Sequence, residues 1–317
     1  MNVRRLIPST ALAGAVALGA VTLSACSGTS DAADKGNGGK LDVVASFYPM
    51  QYLAEQIGGD HVAVNTLTKP GVEPHDLELK PRQVGELGEA DVLLYLKGIQ
   101  PAVDEAIAQA GVKNTVDAAT LTKMEEHGAE VGHDHGGEEA ESEAGADPHV
   151  WLDPVKYAEV AKGVGAAFEK ADPDHAADYE KNTDALVKKL GELNTAFETG
   201  LRTTATRTFI TTHSAFGYLA ERYGLEQESI TGIDPESEPS PARVKELHAI
   251  AEKDKVSTVF FETLASDKTA KTLAGDTGLR TDVLDPLEGI TDKSKGHDYI
   301  EVMQSNLAAL KTALGAK

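Results

Sequence analysis

Residues 175–200 read HAADYEKNTDALVKKLGELNTAFETG. Tyr179, Ala185, Leu186, Leu190, Leu193 and Phe197 recur in this stretch with helical spacing through about seven turns of 3.6 residues. The rest of the chain alternates short strands with shorter helices, so this segment reads as one long helix that connects two halves.

On either side, runs rich in Val, Ile, Leu and Phe and bounded by turn formers read as buried strands. They cover residues 41–47, 62–67, 92–96, 208–212, 256–261 and 281–284. Helical spacing marks residues 50–57, 81–90, 102–110, 155–169, 214–223, 241–253, 266–277 and 299–314. Such alternation favours parallel sheets covered by helices. The two flanks also echo one another: PRQVGELGEADVLLYL from Pro81 and PARVKELHAIAEKDKVSTVFFE from Pro241 both run from proline through Val-x-x-Leu into a β-branched strand. The expected fold class is therefore α/β, with two similar lobes, each a mainly parallel sheet covered by helices. The lobes span residues 41–170 and 207–317, and residues 171–206 carry the connecting helix.

The first 25 residues form a different kind of segment. Arg4 and Arg5 precede an apolar run from Ala11 to Leu23, and Leu23-Ser24-Ala25-Cys26 follows with small residues at its end. This is the pattern of a cleaved export signal, and the apolar run is shorter than the roughly 20 residues of a bilayer-spanning helix. Leu-Ser-Ala-Cys resembles the bacterial lipobox, in which the cysteine is acylated and becomes the first residue of the mature chain. Cys26 is the only cysteine, so it has no intramolecular disulfide partner, and lipid attachment uses it without leaving a free thiol. Arg4-Arg5 leaves the export route open. Residues 26–40, rich in Ser, Gly, Asp and Lys, read as a flexible tether holding a globular body of about 277 residues off a membrane. No later apolar run reaches spanning length, so the expected location is extracytoplasmic, lipid-anchored to the bacterial cell membrane.

The chain has a formal charge of −21 and 41 % hydrophobic residues. Removing a leader with two arginines and no acids brings the charge to about −23. So acidic a surface repels phosphate, which excludes nucleic acid as a partner. Part of the excess lies in residues 125–147, EEHGAEVGHDHGGEEAESEAGAD, a low-complexity segment without bulky apolar residues that reads as a mobile loop.

Three histidines sit in loop-like contexts far apart in sequence: His75 in GVEPHDLELKP, His149 in DPHVWLDP and His213 in TTHSAFGYL. A zinc finger keeps its ligands within a few tens of residues. Dispersed imidazoles instead point to one metal site assembled by folding, between the lobes. Imidazole suits zinc, copper and nickel, whereas calcium and magnesium prefer oxygen. His213 follows the FITT strand directly and is placed to cap the next helix. His61, His175, His248 and His297 carry no ligand pattern and read as surface histidines.

At these residues the chain resembles the extracytoplasmic solute-binding proteins of the ZnuA type (cluster A-I), which feed zinc or manganese to ABC importers. The resemblance covers nearly all the mature chain. It rests on GVEPHDLELKP with ADVLLYLKG, DPHVWLDP, THSAFGYLAERYGL, SEPSPARVKEL, FFETLASDKTAKTLAGDTG and VLDPLEGIT, in the family's order. It implies two α/β lobes joined by one long rigid helix, with the metal between them. The family's metal histidines fall on His75, His149 and His213, and its fourth ligand, a carboxylate of the C-terminal lobe, falls on Glu288 or alternatively on Asp285. Such a four-coordinate site has metal–ligand distances of about 2.0 to 2.2 Å.

Relatives of the manganese type carry an acidic residue at the position of His213, so histidine there favours Zn2+ over Mn2+ as the transported ligand. Zinc-type members also carry a His- and acid-rich insertion, matched by His127, His133 and His135, which would collect zinc weakly. The resemblance further implies an ABC transporter permease as partner, membrane attachment through the N-terminal lipid, and a monomeric receptor.

The competing class is an exported zinc hydrolase. That chemistry needs an open coordination position for water and a general base. The chain has no H-E-x-x-H, no G-x-S-x-G elbow, no P-loop and no Rossmann glycine fingerprint, so no enzyme activity is expected. A purely structural lipoprotein or adhesin would have no reason to place ligands in both lobes.

Overall fold

The computed structural model describes residues 39–127 and 146–317. The export signal, Cys26, His133 and His135 lie outside them. Among the described residues are two four-stranded sheets, both entirely parallel. The first contains β1 (Leu41–Ala45), β2 (Val62–Thr66), β3 (Val92–Tyr95) and β4 (Thr115–Asp117) in the order β2-β1-β3-β4. The second contains β5 (Thr208–Thr211), β6 (Glu226–Ser229), β7 (Thr258–Phe261) and β8 (Arg280–Val283) in the order β6-β5-β7-β8. Each order is second-first-third-fourth, so the sequence echo between the flanks corresponds to a repeated topology. Central β1 is buried along nearly its whole length because helices cover both faces, and its Val43 lies between Val64 of β2 and Val92 of β3.

Two strands were not legible. β4 is only three residues long, and β6 reads Glu-Gln-Glu-Ser. Both are edge strands, paired through the backbone on one side only, so their side chains need not be apolar and the periodicity that marks a buried strand is missing.

The helices are α1 (Tyr48–Gly58), α2 (Pro81–Glu89), α3 (Pro101–Ala110), α4 (Pro154–Ala171), α5 (Ala176–Leu201), α6 (Gly217–Tyr223), α7 (Pro241–Lys253), α8 (Lys268–Thr277) and α9 (Tyr299–Leu314). Proline opens α2, α3, α4 and α7, where its missing N–H costs no helical hydrogen bond. Side chains also cap two of these starts and that of α9: Asp153 accepts from the Val155 N–H, Ser240 from that of Arg243 and Asp298 from that of Glu301.

Helix α5 is the long segment read at 175–200. Its buried face is Tyr179, Thr183, Leu186, Leu190, Leu193, Phe197 and Leu201. It packs most extensively on α4, and also on α1 beside the first sheet and α9 beside the second. Gly165 makes the α4–α5 approach possible, since a Cβ there would lie 2.3 Å from Thr183 Oγ1. One apolar core runs continuously from Val43 and Trp151 through Leu190 and Phe197 to Phe260 and Met303. The two sheets are thus tied by shared packing as well as by the chain. No helix of the described residues is long and apolar enough to cross a membrane.

Candidate metal centre

The carboxyl ends of the parallel strands carry the polar residues. His75 stands in the loop between β2 and α2, Glu262 follows β7 directly, His213 lies two residues beyond β5, and Glu288 lies in the loop after β8. In the second sheet β5 and β7 are neighbours while β6 lies on the far side of β5, so His213 and Glu262 occupy the place where strand order reverses and open α/β sheets leave a crevice. His149 comes from a short 3₁₀ segment, Val150–Leu152 and its preceding residue, just before α4.

Cross-ties fix that segment. Trp151 is buried and its indole N–H donates to the Pro286 carbonyl at 2.7 Å. The Tyr299 hydroxyl donates to the Trp151 carbonyl at 2.6 Å, and the Arg222 guanidinium donates to Asp153 Oδ2 at 2.6 and 2.8 Å. These contacts bind the His149 segment to elements of the second half of the chain.

The three histidines converge through the same ring atom. Nε2 of His149, His213 and His75 lies 3.1, 3.2 and 3.5 Å from Glu288 Oε1, and the four residues each offer a candidate ligand atom within 4.8 Å of the others. Glu288, His149 and His213 are buried, while the His75 ring is 11 % exposed.

Asp285, the alternative fourth ligand, is not brought into this group. Its Oδ1 accepts the Leu287 N–H at 2.9 Å and its Oδ2 accepts the Thr263 hydroxyl at 3.0 Å. Leu287 has a φ of +59°, a left-handed conformation costly for a branched side chain. Asp285 holds the turn that makes this possible and thereby aims Glu288 at the histidines.

Behind the rings stand carboxylates that the sequence reading assigned no role. Asp147 Oδ1 lies 2.8 Å from His149 Nδ1 and accepts the His149 backbone N–H at 2.9 Å; Glu262 Oε1 lies 2.9 Å from His213 Nδ1. A carboxylate on Nδ1 selects the tautomer that leaves Nε2 as donor to a metal and fixes the ring plane. Gln227 adds a second support, donating to the His213 carbonyl at 3.0 Å. One signal for Asp147 was present: Glu73-Pro74-His75 and Asp147-Pro148-His149 share acid-Pro-His spacing, and Glu73 Oε1 accepts the His75 N–H at 3.1 Å just as Asp147 does for His149. Glu262 and Gln227 carried no such signal.

The charges are strongly coupled. Burial alone would push Glu288 up, but the charge of His213 and hydrogen bonds from His149 and His213, with the His75 ring close by at 3.5 Å, outweigh it and hold the carboxylate well below its usual range. Burial likewise opposes charge on His149 and His213. The carboxylates Asp147 and Glu288 nevertheless raise His149, and Glu262 with Glu288 raises His213 well above the usual histidine value. Burial and the nearby charge of Glu288 lift Glu73 to about 9. The raised His149 and His213 thus favour protons on the Nε2 atoms that face Glu288. The buried His75 Nε2 and Glu288 Oε2 have no hydrogen-bond partner, which suits a group that a cation would satisfy.

His213 does not cap α6, whose start has no side-chain cap at all; its ring turns inward to Glu262 and Glu288. The described ends of the acidic loop are also docked rather than free. Asp147 is buried, its carbonyl accepts the Tyr218 hydroxyl at 2.9 Å, and the His127 ring reaches Asp147 Oδ2 at 3.2 Å and Glu221 Oε2 at 2.8 Å. Gly217 gives His127 room, since a Cβ there would sit 2.3 Å from that of His127. Composition predicted mobility here because the docking partners, Tyr218 and Glu221, lie far along the chain. His61 and His175 stack on each other at the surface, with ring centroids 4.0 Å apart, away from the cluster.

Two parallel-sheet lobes with a three-histidine, one-carboxylate cluster between them define the class of two-lobed α/β solute-binding proteins. Within that class, the model of the family described as the zinc-uptake complex component A, periplasmic, matches residues 43–313, and the chain belongs to this ZnuA family. It is 37 % identical over 304 residues to the high-affinity zinc uptake system protein ZnuA of Bacillus subtilis, covering 93 % of this chain and 94 % of that one. It is 38 % identical over 301 residues to the zinc-binding lipoprotein AdcA of Streptococcus pneumoniae, covering 92 % of this chain and 58 % of AdcA, so it spans under two thirds of that relative's length. The crystal structure of the Zn(II)-bound ZnuA-like domain of S. pneumoniae AdcA superposes with a TM-score of 0.71 at 34 % identity, over 87 % of this chain and 99 % of that one.

Proposed function

We propose that this chain is an extracytoplasmic receptor that captures Zn2+ between its lobes and delivers it to the permease of an ABC importer. The observation that carries this reading is the convergence of three imidazole Nε2 atoms on Glu288 Oε1 at 3.1 to 3.5 Å. His75, His149, His213 and Glu288 are the ligands in this reading, and Asp285 is a turn residue. Three neutral nitrogens and one carboxylate oxygen match the tetrahedral preference of zinc. An acidic residue in place of His213 would shift the donor set toward oxygen and manganese.

In binding, the ion displaces the protons on the Nε2 atoms and takes over their contact with Glu288. Asp147 and Glu262 keep the Nδ1 protons in place and share the positive charge that the metal brings. With four protein donors the site offers no open position for an activated water, which supports a carrier rather than a hydrolase. Residues 41–170 and 207–317 act as the lobes and 171–206 as the connector. Acylated Cys26 and the tether of residues 26–40 hold the receptor at the cell membrane as a monomer. The acidic loop with His133 and His135 collects zinc weakly, with His127 marking where it meets the folded body.

Competitive titration of the mature protein lacking Cys26 with zinc and manganese, in wild type and in His213→Ala, tests the proposal. One tight zinc equivalent that collapses in the variant is expected. Equal or stronger manganese binding, or indifference to His213, would overturn the choice of metal or of site.

A further inference from the structure

Beside the histidines, three carboxylates come together whose grouping the four-ligand site does not explain. Glu73, Glu262 and Glu288 each present an oxygen within 4.8 Å of the other two. In each, one oxygen serves the histidine framework: Glu73 Oε1 accepts the His75 N–H, Glu262 Oε1 meets the Thr212 hydroxyl and His213 Nδ1, and Glu288 Oε1 faces the three Nε2 atoms. In each, the other oxygen, Oε2, is buried and has no hydrogen-bond partner. Glu262 is only 4 % exposed and Glu288 fully buried. Among the described residues no lysine or arginine forms an ion pair with any of the three; their only ion-pair partners are the site histidines. Buried carboxylate oxygens left without donors are costly, and a divalent cation satisfies several at once.

The cluster also has a direction. Glu262 and Glu288 are buried, but Glu73 is only half-buried and lies on the loop of His75, the most exposed of the three histidine ligands. A cavity of about 730 Å³ opens beside this loop, lined by Pro70, Gly71, Thr263, Leu264 and Ile290 among others. A hollow of about 60 Å³ shares Pro70 and Ile290 with it and is lined by Glu288 itself. Open space therefore reaches Glu288 beside Pro70, three residues before Glu73 on the same loop.

We propose that Glu73, Glu262 and Glu288 form an oxygen-donor transit site, in which a divalent cation pauses between solvent and the three-histidine site. This rests on the reading of that site as the resting place of zinc. Oxygen donors hold zinc less firmly than imidazoles do and exchange more readily with water. The ion then moves inward by exchanging Glu73 and Glu262 for the three Nε2 atoms, while Glu288, common to both sets, keeps contact throughout. Release follows the same steps in reverse.

Stopped-flow mixing with Zn2+, followed by release into excess chelator, tests this on the mature protein and its Glu73→Gln and Glu73→Asp variants. Glutamine matches glutamate in shape and keeps the Oε1 that accepts the His75 N–H, so the variant keeps the fold, checked by circular dichroism and by one zinc per chain at saturation. For Glu73→Gln, association and release are both expected to slow by about tenfold or more, because the amide nitrogen that replaces Oε2 is no donor to a cation and the side chain can no longer give up a proton to an incoming one. The equilibrium constant moves less than either rate, and Glu73→Asp recovers most of the loss. An unchanged association rate overturns the proposal. So does faster release with unchanged association, which makes Glu73 part of the resting site. Failure of the wild type to bind zinc tightly would instead strike at the proposed function, a result read separately from equilibrium titration.

Discussion

Asp147 grips His149 twice, accepting the backbone N–H at 2.9 Å and lying 2.8 Å from ring Nδ1 through the same Oδ1 atom. One carboxylate oxygen thus sets both the position of the residue and the plane of its ring. Hydrogen bonds from His127 and His149 overcome the cost of burial and hold Asp147 below its ordinary carboxylate value. Replacing it with Ala frees the ring and removes the charge behind the metal. Zinc affinity in Asp147→Ala is expected to fall about 10- to 100-fold, the usual range for such outer partners, measured by chelator competition. A loss smaller than about threefold, well under that range, would refute the positioning role.

Glu288 and Asp285 should separate cleanly. Glu288→Ala removes the oxygen on which three Nε2 atoms converge and is expected to cost about 100-fold or more in zinc affinity. Asp285→Ala instead breaks the bonds from the Leu287 N–H and the Thr263 hydroxyl. It should lower stability by about 1–3 kcal/mol and cost affinity only to the extent that the turn relaxes. Thermal melts of the metal-free variants, paired with zinc titrations, distinguish the two outcomes.

Acidity should oppose zinc, and the sign follows from the raised histidines. His149 and His213 have folded pKa values above 6.5, so their protonated forms support the metal-free fold fully below 6.5, and this support is lost as pH rises through the folded values. Zinc requires the same nitrogens unprotonated. The rise in melting temperature produced by saturating zinc is therefore expected to be small below the usual histidine value and to grow steadily above it. A zinc-induced shift that is independent of pH would contradict the assigned ligands.

Gly165→Ala places a Cβ 2.3 Å from Thr183 Oγ1 at the α4–α5 contact. The overpacking should cost about 1–3 kcal/mol and lower the melting temperature. Thr183 Oγ1 is buried without a partner, so Thr183→Ala alone should cost less, and the double variant should recover part of the loss. Strict additivity of the two changes would show that the helices do not meet as described.

Because α5 packs on helices beside both sheets and the apolar core is continuous, zinc binding should order local loops without a large rotation of one lobe against the other. Solution scattering with and without zinc is expected to give the same radius of gyration within error. A marked compaction would show that the connector acts as a hinge.

Much of this molecule could be read along the chain because its physical causes are local. A buried parallel strand must be apolar on both faces, so β1, β3 and β7 announce themselves in single runs of Val, Leu and Phe. Helix α5 likewise shows its buried stripe through residues spaced by the helical period, and the twin Pro-x-x-Val-x-x-Leu segments disclose a repeated unit. The three histidines stood out because each sits in a loop-like context beside polar or proline residues, far from the other two in sequence. Edge strands β4 and β6 escaped, since their pairing draws on backbone groups that every residue carries.

Convergence in space was the part that only folding could decide. Asp285 and Glu288 are three residues apart and chemically alike; the turn at Leu287 directs one to hold the backbone and the other to face the rings. Glu262 became the partner of His213 because β5 and β7 are neighbours, and His127 became a docked residue because α6 presents Glu221 and a glycine to it. Composition and period report what a residue prefers to be near, and they carry no information on which distant residue arrives there, since that is set by the packing of whole elements against one another.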